Sequence, residues 1–454
     1  MADKPEKEVS DKEETKVLDE KKDSESDDGS EKILGSVVKV HGSGECDQLG
    51  LGDIDVFELK VPRPIVFFDN TADRKVFQIS CGGLHTLLLT TTGKVFSWGC
   101  NDDGALGRPS SEEAPENEPG LVEALKYPII QVSAGDSHSL AINEHVNRVF
   151  TWGLYRDRAG KMSEGRKDPY ELTSKTLQKG ITKVVSGANH SLLLLKNQKL
   201  LAWGDPESGK LGRIPTARRR ISQGLQMEEM GLKGVEDIFT GSYHSFAKTK
   251  KGIFAWGLNN HGQLGLGHRE NTHIPTRVTD LDDIDIKILT GGEHHTAAVT
   301  SDGRVFTWGL NDEAQCGINK EVATTSKDAE KDEKMEEDKE DGDATPAVDL
   351  TDPTIDEDDG VRYFTRPTEV LELKDIGYLA CGSHFNIALS QSYDAYSWGQ
   401  GDLYVLGNRQ EENELTPYGI PAALYKGDTP YAVSAGGQHV VTTCFQAGVP
   451  QEVP

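Results

Sequence analysis

Gly292-Glu293-His294-His295-Thr296-Ala297-Ala298-Val299-Thr300-Ser301-Asp302-Gly303-Arg304-Val305-Phe306-Thr307-Trp308-Gly309-Leu310-Asn311-Asp312-Glu313-Ala314-Gln315-Cys316-Gly317 is one complete copy of a pattern that fills the chain. An apolar run over residues 296–299 meets the turn Ser301-Asp302-Gly303, then a second run over 305–308. Asp-Gly between two short apolar runs is a hairpin signal. A Gly-x-x-His element opens the hairpin, Trp-Gly closes it, and a Cys-Gly turn follows.

The same landmarks recur along the sequence. All six tryptophans stand in Trp-Gly, at Trp98, Trp152, Trp203, Trp256, Trp308 and Trp398, with gaps of 54, 51, 53, 52 and 90 residues. The last gap holds an acidic stretch of 40 residues, 321–360, whose removal restores the period, so it reads as an insertion within one repeat. Upstream, His41-Gly42 stands in the place of Trp-Gly, 57 residues before Trp98. Gly-x-x-His ends at His85, His138, His190, His244, His295 and His439, with Phe385 in the remaining copy. The turn eight residues after the aromatic position reads Leu49-Gly50, Leu106-Gly107, Leu211-Gly212, Leu264-Gly265, Cys316-Gly317 and Leu406-Gly407. Seven copies of about 50 residues, each with about four short strands, predict an all-β fold, a seven-bladed propeller. The first copy lacks its Gly-x-x-His half and the last ends on one. Residues 36–41 are therefore expected to pair with 433–444 and close the ring, which removes two exposed sheet edges.

Charge divides the chain further. Net charge is −26, of which residues 1–33 carry −6 and residues 321–360 carry −13. Such segments bury too little apolar surface to offset chain entropy, so both are expected to be disordered. The domain reading is an acidic tail over 1–34, a propeller over 35–447 with its insertion at 320–361, and a short tail over 448–454. No apolar leader and no apolar run of membrane-spanning length is present. The six cysteines form no C-x-x-C pair and suit reduced thiols of the cytosol or nucleus. No metal site, cofactor, nucleophile elbow or phosphate-binding Gly-Lys-Ser/Thr motif is legible, so covalent catalysis is not expected.

The combination Gly-x-x-His, Trp-Gly and Leu-Gly, seven times over, resembles the regulator of chromosome condensation family. The resemblance covers about residues 35–447 without the insertion. Two segments are similar to its founding branch, the guanine-nucleotide exchange factors for the small GTPase Ran. One runs from Trp98 through Asn101-Asp102-Asp103-Gly104 to Arg108, followed by Ala134-Gly135-Asp136-Ser137-His138. The other is Trp152-Gly153-Leu154-Tyr155-Arg156-Asp157-Arg158. The resemblance implies Ran as partner, histones or chromatin as a second one, no membrane, and a nuclear location with the cytoplasm left open.

The third copy breaks the pattern. Where Leu-Gly belongs it has Gly160-Lys161. One reading is a degenerate repeat; the other is a protruding hairpin. In the resembling exchange factors this segment is a wedge that enters the GTPase, which implies that role for Tyr155, Arg156, Asp157, Arg158, Ala159, Gly160 and Lys161. The resemblance also implies GTPase contacts at Glu45, Asp136, Asn189 and His295. Glu45 and Asn189 replace aspartates of the family, and Asn189 gives up the charge. The other Gly-x-x-His histidines are expected to be structural, while the doublet His294-His295 is expected to expose one member.

Three features leave alternatives open. Arg213, Arg218, Arg219 and Arg220 read as a DNA-phosphate contact, part of an import signal, or a solvated loop. The tail is acidic where family members often carry a basic one, which argues against DNA binding through it. The acidic segments serve either histones or solubility. The fold itself is compatible with a non-catalytic scaffold or an exchange factor for another GTPase.

Overall fold

Each repeat supplies four antiparallel strands, and the strand order follows from which residues are buried. In the second blade the order is Arg166–Leu172, Val149–Gly153, His138–Asn143, Ile129–Ala134. The two middle strands, His138–Asn143 and Val149–Gly153, are buried along their whole length. They lie between neighbouring blades and are covered on both faces, so they read as continuous rather than alternating apolar runs. Outer strands such as Glu414–Ile420 mix exposed and half-buried positions. This computed structural model describes residues 36–52, 55–68, 75–157, 160–161, 166–213, 225–318, 355–358 and 361–447.

Seven such sheets form a seven-bladed propeller, one of them carrying a fifth strand, and a separate two-stranded ribbon stands apart from them. Apolar clusters lie between blades rather than within them. Leu192, Leu194 and Ala202 of the third blade pack with Val235, Ile238 and Trp256 of the fourth. No blade therefore has a core of its own, and the ring is the stable unit.

Closure occurs as the phase of the repeats predicts. Ser36–Ser43 is sandwiched between Glu58–Pro64 and His439–Phe445, with Ser36 opposite Phe445 and Val40 opposite Val441. Lys39, 1% exposed, is clasped there by Asp428 at 2.8 Å. The acidic tail, residues 1–34, the short tail at 448–454 and most of the insertion at 320–361 lie outside the described residues. At the end of the insertion, Ile355–Asp358 pairs with Val361–Glu369 as the fifth strand of its blade.

Two ladders of polar contacts run round the ring. In the first, five of the six Trp indoles donate to the carbonyl that precedes the Leu-Gly or Cys-Gly turn of the previous copy. The contacts are Trp98 to Gln48, Trp152 to Ala105, Trp256 to Lys210, Trp308 to Gln263 and Trp398 to Gln315, at 2.7–3.1 Å. His41, standing in for the seventh tryptophan, makes the same contact to the Val405 carbonyl at 3.0 Å. The turn glycines are required here: Gly107 has φ +66, and a Cβ on it would lie 2.7 Å from Nε1 of Trp152. In the second ladder each Gly-x-x-His imidazole meets the residue that follows the next blade's histidine. His85 reaches Ser139, His138 Ser191, His190 Ser245, His244 Thr296, His295 Asn386 and His439 Thr86, at 2.7–3.0 Å. The glycine three residues earlier leaves room for the ring, since a Cβ on Gly135 would lie 2.2 Å from Cε1 of His138. The ladder opens only at Phe385, and there the facing position is Val440, packed in the same apolar cluster.

Candidate functional site

Strand pairing puts the candidate residues on one face. His138 begins the second strand of its blade opposite Gly153, which ends the third. Gly-x-x-His loops and the loops after Trp-Gly therefore leave every blade at the same end.

The broken repeat becomes a ribbon on this face. Arg156–Asp157 pairs with Gly160–Lys161, Arg156 opposite Lys161 and Asp157 opposite Gly160. Gly160 has φ +118 and open space around its Cβ position. Arg158 and the side chain of Lys161 lie outside the described residues, as does Ala159. Tyr155, read as part of a wedge, is its root instead: only 4% of it is exposed. Its ring stacks on His138 with centroids 4.1 Å apart. Its hydroxyl accepts from Trp203 Nε1 at 2.8 Å and lies 3.0 Å from Ser191 Oγ. The third blade thus keeps the Trp contact without its Leu-Gly carbonyl, because a phenol oxygen occupies that role.

Asn189 holds the ribbon from the next blade: its Oδ1 accepts the Arg156 backbone N–H at 2.8 Å. The Asn in place of the family's Asp retains an acceptor oxygen for this bond. From the blade before, Asp103 receives the Arg156 guanidinium.

Asp136 stands beside this arrangement. Its N–H donates to the Ala188 carbonyl at 3.0 Å, and its carboxylate lies over Gly83, where a Cβ would be 2.0 Å from Oδ1. The side chain reaches solvent, yet the surrounding protein desolvates it, and Glu293 and Asp103 add like charge against Arg156, so its carboxyl is raised above the usual range. Glu45 is exposed on the loop after His41, its N–H directed at Ser43 Oγ at 3.4 Å.

His295 is the main departure from expectation. It is 1% exposed, lies 3.0 Å from Asn386 Oδ1, and burial lowers its pKa to about 4. It is a rung of the histidine ladder and does not reach the surface. The half-buried member of the doublet is His294, with ring centroids 4.5 Å from His261, 6.1 Å from Tyr243 and 6.4 Å from His384. Glu293 lies 3.7 Å from His384, which lowers the carboxyl and raises the imidazole.

The sequence reading missed Asp103, Glu293, Tyr243, His261 and His384. The doublet was the signal for His294, which sits in the loop just before the strand His295–Thr300. Asp103 carried none, as its neighbour Asp102 looks the same and its partner lies 53 residues away, one repeat on. Of the arginine cluster, Arg213 pairs with Glu228 at 3.1 Å, and Arg218, Arg219 and Arg220 lie outside the described residues.

Comparison with known proteins agrees with this architecture. The RCC1-like domain matches residues 37–442. The human regulator of chromosome condensation is 31% identical over 89% of this chain and 90% of its own length. The guanine nucleotide exchange factor SRM1 of Saccharomyces cerevisiae is 28% identical over 88% of this chain and 86% of its own. The crystal structure of Prp20p from S. cerevisiae, described with its binding properties to Gsp1p and histones, superposes with a TM-score of 0.79 at 28% identity, covering 92% of this chain and 93% of that one. With that domain match and these relatives along nearly its whole length, the chain belongs to the regulator of chromosome condensation family.

Proposed function

We propose that this chain is a guanine-nucleotide exchange factor for the small GTPase Ran, acting in the nucleus at chromatin in support of nucleocytoplasmic transport and mitosis. The observation that carries the reading is the ribbon Arg156–Lys161, which replaces a structural turn in one copy of the repeat alone and is anchored by three blades beside Asp136. Relatives named as an exchange factor and as regulators of chromosome condensation support it. Asp136, Glu45, Asn189 and His294 are assigned to the GTPase-facing surface, with Arg156, Asp157, Arg158, Ala159, Gly160 and Lys161 as the wedge.

The mechanism requires no covalent step. A GTPase holds its nucleotide by a phosphate-cradling loop and Mg²⁺. A factor that binds the nucleotide-free form more tightly weakens nucleotide binding by the same factor, by linkage. Accelerating release about 10³-fold removes about 4 kcal/mol from the barrier. The ribbon supplies this by displacing contacts around the phosphates, and the nucleotide that reloads is set by the cellular ratio of GTP to GDP. Histones are the second proposed partner, in line with the binding properties described for Prp20p.

The test is release of fluorescent GDP from purified Ran under catalytic amounts of this protein, beside Asp136→Ala and a variant with 156–161 replaced by a Gly-Ser turn. Acceleration by wild type, lost in both folded variants, supports the reading. No acceleration by wild type moves the protein to a scaffold or to another GTPase.

A further inference from the structure

Arg156 opens the ribbon, and its side chain is held by a residue of the preceding blade. Its Nε donates to Asp103 Oδ2 at 3.0 Å, and its Nη2 donates to the same oxygen. The aspartate side chain is only 9% exposed, while the arginine is 43% exposed. Asp103 belongs to the turn after Trp98, in the first blade. That turn is braced from within: Asn101 Oδ1 accepts from the Leu106 N–H at 3.0 Å, and its Nδ2 donates to the Arg108 carbonyl at 3.1 Å. Gly104, next in sequence, has φ +80 and presses on the second blade's outer strand, where a Cβ would lie 2.8 Å from the Lys167 Cα. Asp103 is therefore a fixed post wedged between two blades. The ribbon it holds is two residue pairs long, too short to fix its own direction.

The ribbon's other two anchors act at its root. Asn189 takes the Arg156 backbone N–H, and Tyr155 is locked between His138 and Trp203. Both fix where the ribbon starts. The Arg156 guanidinium, at the end of a long side chain, ties the ribbon sideways to the preceding blade. A covered carboxylate with both guanidinium donors on one oxygen makes a directional, charge-assisted link. Surface ion pairs contribute little, but this one is braced and half covered.

We propose that Asp103 is a positioning residue for nucleotide exchange: through Arg156 it sets the angle at which the ribbon meets the GTPase. The inference deepens the exchange reading and rests on it. Asp103 itself does not need to touch the GTPase, which separates it from Asp136, whose carboxylate reaches solvent at the rim.

The experiment compares wild type, Asp103→Asn and the charge swap Asp103→Arg with Arg156→Asp, each checked for folding by thermal melting. Steady-state GDP release from Ran gives kcat and KM, and hydrogen exchange followed by mass spectrometry reports on residues 155–161 in the isolated protein. Asp103→Asn is expected to lower kcat about tenfold with KM nearly unchanged, within the range that a misplaced reacting group costs. It is also expected to speed amide exchange in the ribbon, and the swap, which restores the ion pair but alters a wedge residue, is expected to recover that protection alone. A rise in KM with kcat unchanged in Asp103→Asn means that Asp103 contacts the GTPase directly, and it overturns the positioning role. Unchanged ribbon exchange in Asp103→Asn overturns it as well, whatever wild type does to Ran. A wild type that fails to release GDP sinks the exchange reading, a result the ribbon measurement cannot be confused with.

Discussion

The indole N–H of Trp203 donates to the phenol oxygen of Tyr155 at 2.8 Å, whereas five other blades offer their tryptophan a main-chain carbonyl in the same place. One side chain thereby releases the turn that would have supplied the carbonyl, and the chain between Tyr155 and the fourth strand is free to leave the blade. A functional protrusion and an intact blade junction are compatible because the hydrogen-bond donor does not distinguish the two oxygens.

Tyr155→Phe keeps the ring against His138 and removes the hydroxyl, with its contacts to Trp203 and Ser191. The Trp203 N–H, 1% exposed, then has no partner. A buried donor left unmade costs about 1–3 kcal/mol. Urea unfolding is expected to show a loss of that size. An unchanged midpoint would mean that another oxygen takes over the bond.

Asn189→Ala deletes the acceptor of the Arg156 N–H without altering the Trp and histidine ladders. Exchange on Ran is expected to fall about tenfold, equivalent to about 1.4 kcal/mol of transition-state stabilisation. Asn189→Asp retains an acceptor oxygen and is expected to stay within about threefold of wild type. GDP-release assays of the two variants, side by side, distinguish the loss of this bond from a general perturbation of the loop.

The histidine ladder has one missing rung, Phe385 facing Val440. Phe385→His alone buries an imidazole without a partner, and Val440→Ser alone buries a hydroxyl in an apolar cluster, so each is expected to destabilise the ring. Together they can form the contact that His439 makes with Thr86 at 2.8 Å. The double variant is expected to be more stable than the two single losses predict by about 1 kcal/mol. Strict additivity in a double-mutant cycle would show that the rung does not form.

Acid should unfold the ring through its buried histidines. Burial lowers His41, His85 and His295 to about 4, and His138, His244 and His439 to about 3, from 6.5. Groups depressed on folding leave stability intact above their unfolded pKa, and stability is lost as pH falls below it toward the folded value. Each ring contributes up to about 1.4 kcal/mol of loss per pH unit in that window. His384, raised by its contact with Glu293, has the opposite sign: its contribution is present below 6.5 and fades as pH rises through its folded value. The urea midpoint is expected to be nearly flat from pH 8 to 7 and to drop steeply between pH 6.5 and 4. A midpoint at pH 5 equal to that at pH 7.5 would contradict the neutral, buried state of the ladder.

Sequence alone determined the number of blades, their order and the closure of the ring, because each rests on spacing. Trp-Gly and Gly-x-x-His recur at a near-constant interval, and the half-copies at the two ends complement each other. Periodicity also located the ribbon, as the one place where a repeated turn is absent. Tertiary structure decided which residues reach a partner. His294 and His295 are adjacent and chemically identical, yet one is half-buried in the loop at the rim and the other begins the strand as a rung of the ladder, since only packing between blades fixes where the loop ends and the buried strand starts. It decided, too, that Tyr155 is a root rather than a tip and that Asp103 holds Arg156. Both facts arise where one repeat meets the next, and contacts between blades are set by how the ring closes in three dimensions, which no single copy of the motif records.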